Sequence, residues 1–174
     1  MMGTVDPGRF IVRADVVGTA AFAASVVAAL ATDAWTAGSI IVALVLFAIG
    51  VFGFIWAYFS AVERSRTDEI GVANLFLLTG PTAPRAVKRT MSILLGVQVV
   101  VAFVGAIAGF SGLADNELNP LAFGILVPMF GMGLNGLWAS RHGSFGPRIV
   151  TTSERPPRDV PPPDHEMEQN ARHG

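Results

Sequence analysis

Residues 38–66 read GSIIVALVLFAIGVFGFIWAYFSAVERSR, an uncharged apolar run that ends abruptly at Glu63, Arg64 and Arg66. As a helix rising ~1.5 Å per residue, the run from Gly38 to Val62 measures ~37 Å, more than the ~30 Å of a bilayer's hydrocarbon core. Such a run is long enough to cross a membrane as a helix. Working outward, residues 16–31 form a comparable stretch before it, and residues 91–113 and 121–140 form two more after it. The expected fold class is therefore all-α, a four-transmembrane-helix bundle. Composition agrees: 14% of the chain is charged, where an ordinary soluble domain carries about 25%.

The basic residues decide the orientation. Arg9 and Arg13 precede the first stretch, Arg64, Arg66, Arg85, Lys88 and Arg89 lie between the second and third, and Arg141, Arg148, Arg155, Arg158 and Arg172 follow the fourth. Residues 32–37 and 114–120 contain no Lys or Arg, only Asp33, Asp115 and Glu117. Lys and Arg in short loops stay on the cytoplasmic side, so the chain is expected to cross four times with both termini in the cytoplasm. The first span is the shortest, held between Asp15 and Asp33. Read alternatively, Arg9 and Arg13 ahead of a short apolar run ending in Ala29-Leu30-Ala31 have the shape of a secretory signal cleaved after Ala31. Against cleavage, the run lacks a Leu-rich centre and the next apolar stretch begins within a few residues. Trp35 and Phe110 are expected at the outer boundary, and Trp56, Tyr58, Phe59 and Trp138 at the inner one, as an aromatic belt.

Residues 1–142 make up the membrane domain and 143–174 a polar, proline-rich cytoplasmic tail. Residues 156–174, with Pro156, Pro157 and the run Pro161 to Pro163, hold too few apolar side chains to fold and are expected to be disordered. In the middle loop, Ser65 to Asp68 has capping-box spacing with Asp in place of Glu, followed by Ile70 to Leu78 and a stop at Gly80-Pro81. That predicts a short interfacial helix, too short to cross, on the inner leaflet or tucked against the mouth of the bundle. Arg85, Lys88 and Arg89 then share one helix face, a candidate contact with anionic lipid or with a partner.

Candidates for chemistry are few. The chain has no cysteine, which excludes disulfides and thiolate chemistry. Gly131-Met132-Gly133-Leu134-Asn135-Gly136 matches a GxGxxG string but lies within a span, without the strand that a dinucleotide site requires; it reads as a packing surface. Gly105 and Gly109, Gly50 and Gly53, and the alanines at 20, 24 and 28 read the same way, either inside a monomer or between copies. His165-Glu166 begins like a zinc-protease motif but has no second His. No ionisable residue lies in the middle of any of the four spans. Gln98 and Asn135 are the strongest polar residues inside them, at similar expected depths, and form a candidate interhelical pair. Pro128 is expected to loosen the fourth helix beside them, and a polar substrate niche is the alternative use of the same residues.

Residues 61–75, AVERSRTDEIGVANL, and 121–131, LAFGILVPMFG, resemble small four-span membrane proteins of high-GC Gram-positive (actinobacterial) bacteria, over about residues 55–147. An Ala-, Val-, Arg- and Gly-rich, Lys-poor composition fits that source. The resemblance implies a plasma-membrane location and carries over no activity and no catalytic residues. No catalytic, metal or cofactor site is expected, and no nucleic-acid partner. The function expected is that of a non-enzymatic accessory or interaction subunit, in contact with the bilayer and with another membrane protein or itself. The alternative is a small oligomeric transporter or channel.

Overall fold

The computed structural model describes residues 7–65, 68–110 and 119–147. The fold is all-α, and four of its helical segments are long and apolar enough to cross a membrane. Helix α1 spans Pro7–Ala31 and leads through a short 3-10 turn, Asp33–Trp35, into α2, Thr36–Arg64. The middle loop contains the five-residue helix α3, Val72–Phe76, and α4 covers Arg85–Phe110. The fourth crossing is made in two pieces, a 3-10 helix at Pro120–Leu126 and α5 at Pro128–His142.

α1 starts earlier than residue 16. Pro7 occupies its first turn, where a missing N–H costs nothing and the ring presets a helical φ. One stripe of the helix, Ile11, Asp15, Thr19, Phe22 and Val26, is buried along its length. Asp15 is thus the middle of a packed face, not the edge of a span.

The fourth crossing is the interior one: nine of α5's fifteen residues are buried. Its break follows from Pro128, which cannot donate a helical hydrogen bond, and from Asn119 and Pro120 at the start of the 3-10 piece. Asn119 Oδ1 accepts from Leu121 N at 3.0 Å, and its Nδ2 donates to Ala106 O at 2.7 Å, pinning the segment to α4. Seven residues of 3-10 helix at ~2 Å each plus fifteen of α-helix at ~1.5 Å reach about 36 Å, so the tighter winding lets a short segment cover the full depth.

α5 packs mainly on α2, and their backbones cross in contact. A Cβ at Gly133 would collide with the Gly50 carbonyl, and one at Gly50 would fall 2.5 Å from Phe130 N. Gly105 lies against Val26, Gly109 against the Asn119 side chain, and Gly136 against Phe76 and Ala57. The glycine pairs read as packing surfaces are used within the bundle, the GxGxxG string among them.

One end of the bundle carries a folded cap. Arg64, at the last turn of α2, donates to Ser140 O at 3.1 Å and to Asp68 Oδ2 at 3.0 Å, and its guanidinium lies 5.3 Å from the centre of the Phe145 ring. Asp68–Glu69 pairs antiparallel with Gly146–Pro147. The helix start expected at Ser65 to Asp68 is displaced: Asp68 is drawn into that pairing, and α3 begins only after Gly71. α3 is tucked under the cap, with Leu75, Phe76 and Leu78 buried and Phe76 stacked on Phe54 of α2 at 4.0 Å. Leu78 ends it with φ 52°, a left-handed conformation costly for a branched side chain and held here by complete burial. Of the expected aromatic belt, Trp35, Trp56, Tyr58, Phe59 and Phe110 face outward, but Trp138 is 5% exposed and belongs to the interior. The tail at residues 156–174 lies outside the described residues, as do Asp115 and Glu117.

Candidate functional site

A buried polar cluster joins the first, third and fourth crossings. Gln98 is 0% exposed, as is Asp15, and Thr19 is 4% exposed. Gln98 Nε2 donates to Asp15 Oδ1 at 2.9 Å and to Thr19 Oγ1 at 2.7 Å, while Gln98 Oε1 accepts from Gly131 N at 3.1 Å. Thr19 sits one turn after Asp15 on the same stripe, so one amide group can reach both. Gly131 N is available because of the break above it: Phe130 N takes Val127 O at 2.8 Å in a 3-10 bond, and the next N–H turns to the neighbouring helix. A Cβ at Gly131 would fall 2.6 Å from Gln98 Oε1, so the position must be small. Every strong donor and acceptor of Gln98 is therefore engaged. Asp15 is not fully satisfied, since its Oδ2 has no hydrogen-bond partner among the described residues.

The Gln98–Asn135 pair expected from sequence does not exist. Asn135, 1% exposed, donates from Nδ2 to Phe76 O at 3.0 Å and ties α5 to the cap. Two errors of position combine. Gln98 is level with Gly131, one helical turn or ~6 Å from Asn135, and it faces α1 while Asn135 faces α3. Asp15, expected at the boundary of the first span, lies instead inside α1 and is buried. The signal was available: Pro7 as a first-turn residue, and the stripe Ile11, Asp15, Gly18, Phe22 at three- and four-residue spacing. The alternative of Gln98 and Asn135 as one niche fails on the same geometry.

Arg85, Lys88 and Arg89 lie in the first turns of α4, with Arg85 and Arg89 exposed and Lys88 half-buried. At 100° per residue their common direction is roughly opposite to that of Ala86, Val87 and Thr90, which line a cavity at the same end of the bundle. The patch points outward and shares no contact with the polar cluster. Among the described residues no three His, Asp or Glu side chains gather as a metal site would need. Trp138 and His142, one turn apart with ring centroids 5.7 Å apart, each keep a ring nitrogen without a hydrogen-bond partner.

Compared with known protein families, curated proteins and solved structures, the chain matches none.

Proposed function

We propose that this multi-pass protein is a non-catalytic accessory subunit of a plasma-membrane complex, with both termini on the cytoplasmic side. The observation that carries the reading is the outer face of α1. Gly50 and Gly53 on α2, Gly105 and Gly109 on α4, and Gly131, Gly133 and Gly136 on α5 are consumed by packing inside the bundle, but Ala20, Ala21 and Ala24 face outward between Val17 and Val27, both about two-thirds exposed (67% and 66%). In lipid, helices associate where small side chains let backbones approach, so an outward small-residue face suits another protein's helix. The orientation rests on charge: Arg9, Arg13, Arg64, Arg85, Lys88, Arg89 and Arg141 share one end, whereas Asp33 is the charged residue described at the other, as the positive-inside rule requires. The test is co-purification in mild detergent with mass spectrometry of what is retained. A stoichiometric membrane partner is expected, lost on Ala20→Leu/Ala24→Leu while the melting temperature of the chain itself is unchanged. Recovery of the chain alone, or a partner indifferent to both substitutions, would sink the proposal.

One observation favours a second reading, a small oligomeric transporter or channel. Ionisable residues buried in spans usually serve ion or proton paths, and Asp15 is such a residue with one carboxyl oxygen unpartnered. Proton or cation flux into liposomes that disappears on Asp15→Asn would favour it over the accessory reading.

A further inference from the structure

At the basic end of the bundle a cavity of about 720 Å³ opens between the starts of α1 and α4, the loop at Pro81 to Pro84, and the end of α5. Its volume falls in the range of binding clefts, ~300–1,000 Å³. The outward alanines of α1 and the Asp15 cluster contribute nothing to its wall. Val12, Val87 and the prolines at 81 and 84 make the recess apolar, Arg13 stands exposed at its rim, and no Asp or Glu lines it.

The chain leaves the described fold beside this recess. Ser144 N donates to Thr82 O at 3.0 Å, and both residues line the cavity. Pro147, the last described residue, is three residues further on and so within ~11 Å of Ser144. The sequence that follows has a complementary pattern. Residues 159–169, DVPPPDHEMEQ, carry Asp159, Asp164, Glu166 and Glu168 and no Lys or Arg. Val160, Pro161 to Pro163 and Met167 are too few to build a core, but a recess that the bundle already provides needs no more than that. Consecutive prolines favour an extended form without internal hydrogen bonds, so such a segment loses little freedom on docking. At ~3.1 Å per residue, the stretch from Pro147 to Asp159 reaches up to about 37 Å, more than the ~20 Å across the end of a four-helix bundle. Reach therefore allows any site at this end, and chemistry selects among them. Arg85, Lys88 and Arg89 also attract acids, but they point away from the recess and offer the prolines no apolar wall.

We propose that this cavity is the docking site of the chain's own tail, with the prolines at 161 to 163 in the recess against Val12 and Val87 and the flanking acids, Asp159 and Asp164, facing Arg13 and the basic end of the bundle. The tether makes weak contacts sufficient. At an effective concentration of ~1 mM, a segment with an intrinsic dissociation constant of only ~0.1 mM stays bound about nine-tenths of the time. The docked tail closes the cavity to other molecules. This contact goes beyond the accessory reading and is independent of it and of the orientation in the membrane.

The test uses the full chain, one copy per phosphatidylcholine nanodisc. The chain has no cysteine, so Ala86→Cys puts a single thiol in the cavity wall, and Ala73→Cys puts one at an exposed position of α3, outside that wall. The rate of labelling by a maleimide is measured at each position, with the tail intact and with either of two sets of tail substitutions. One set is Asp159→Asn/Asp164→Asn/Glu166→Gln/Glu168→Gln, the other Pro161→Gly/Pro162→Gly/Pro163→Gly. Both sets lie outside the helical bundle, so its folding does not confound the result. Each set should speed labelling at position 86 by about tenfold, as release from nine-tenths occupancy requires, and leave position 73 unchanged. Unchanged rates at position 86 overturn the proposal: if labelling there is as fast as at 73 the cavity is open, and if it stays slow another molecule, such as a lipid, fills it. Equal acceleration at both positions also overturns it, since the acids would then act only through general charge on thiolate formation.

Discussion

Gln98 is the residue on which three crossings meet, and its removal should be felt at all of its partners. Leucine there leaves Asp15 Oδ1, Thr19 Oγ1 and Gly131 N without their bonds. At ~1–3 kcal/mol per buried group left unsatisfied, Gln98→Leu should cost about 3 kcal/mol or more. Asp15→Leu should be destabilising too, but adding it to Gln98→Leu should cost less than the two separately, because the first substitution has already broken their bond. Gln98→Leu with Asn135→Leu should add, within about 0.5 kcal/mol, since the two have no common partner. Thermal unfolding in detergent across the three single and two paired variants checks both; coupling between Gln98 and Asn135 with none to Asp15 would contradict the observed bonds. Their importance was legible in the sequence, because a carboxamide in a span must find a partner. Which partner is not, because that depends on helix rotation, and a charge read as a boundary puts Asp15 outside the span.

At the scale of elements, the fit between α2 and α5 is decided by backbone contact. Gly133→Ala should destabilise by several kcal/mol, because the new methyl collides with the Gly50 carbonyl and neither backbone can move aside as a side chain would. Gly96→Ala is the matched control on α4: nothing lies within 4 Å of its Cβ position, so a gain of up to ~1 kcal/mol from helix propensity is expected. Equal melting temperatures for the two variants would refute the close crossing. The number of spans and the packing use of these glycines could be read from apolar runs and small-residue spacing. The split of the fourth crossing was visible only as Pro128, because a proline permits a kink, a break or a mere loosening, and Asn119 gripping α4 decides among them. α3 came out shorter than its apolar run, since pairing of Asp68–Glu69 with residues far along the chain removed its expected start.

For the whole molecule, the absence of cysteine makes orientation directly measurable. Ala34→Cys and Arg141→Cys each place one thiol at an exposed position at opposite ends of the bundle. A membrane-impermeant maleimide applied to intact cells should label the first, and reach the second only after permeabilisation. The reverse pattern would overturn the charge argument for cytoplasmic termini. The same long-range order has a consequence in time. Asp15 and Gln98 are 83 residues apart in the chain, and at ~5–20 residues per second synthesis separates them by about 4 to 17 s. Through that interval α1 has neither its amide partner nor the crossing that will cover it, and a carboxyl with no partner must wait at the bilayer. The first helix is therefore a poor guest until the third arrives, and its early life depends on whatever holds a half-made protein at the site of insertion.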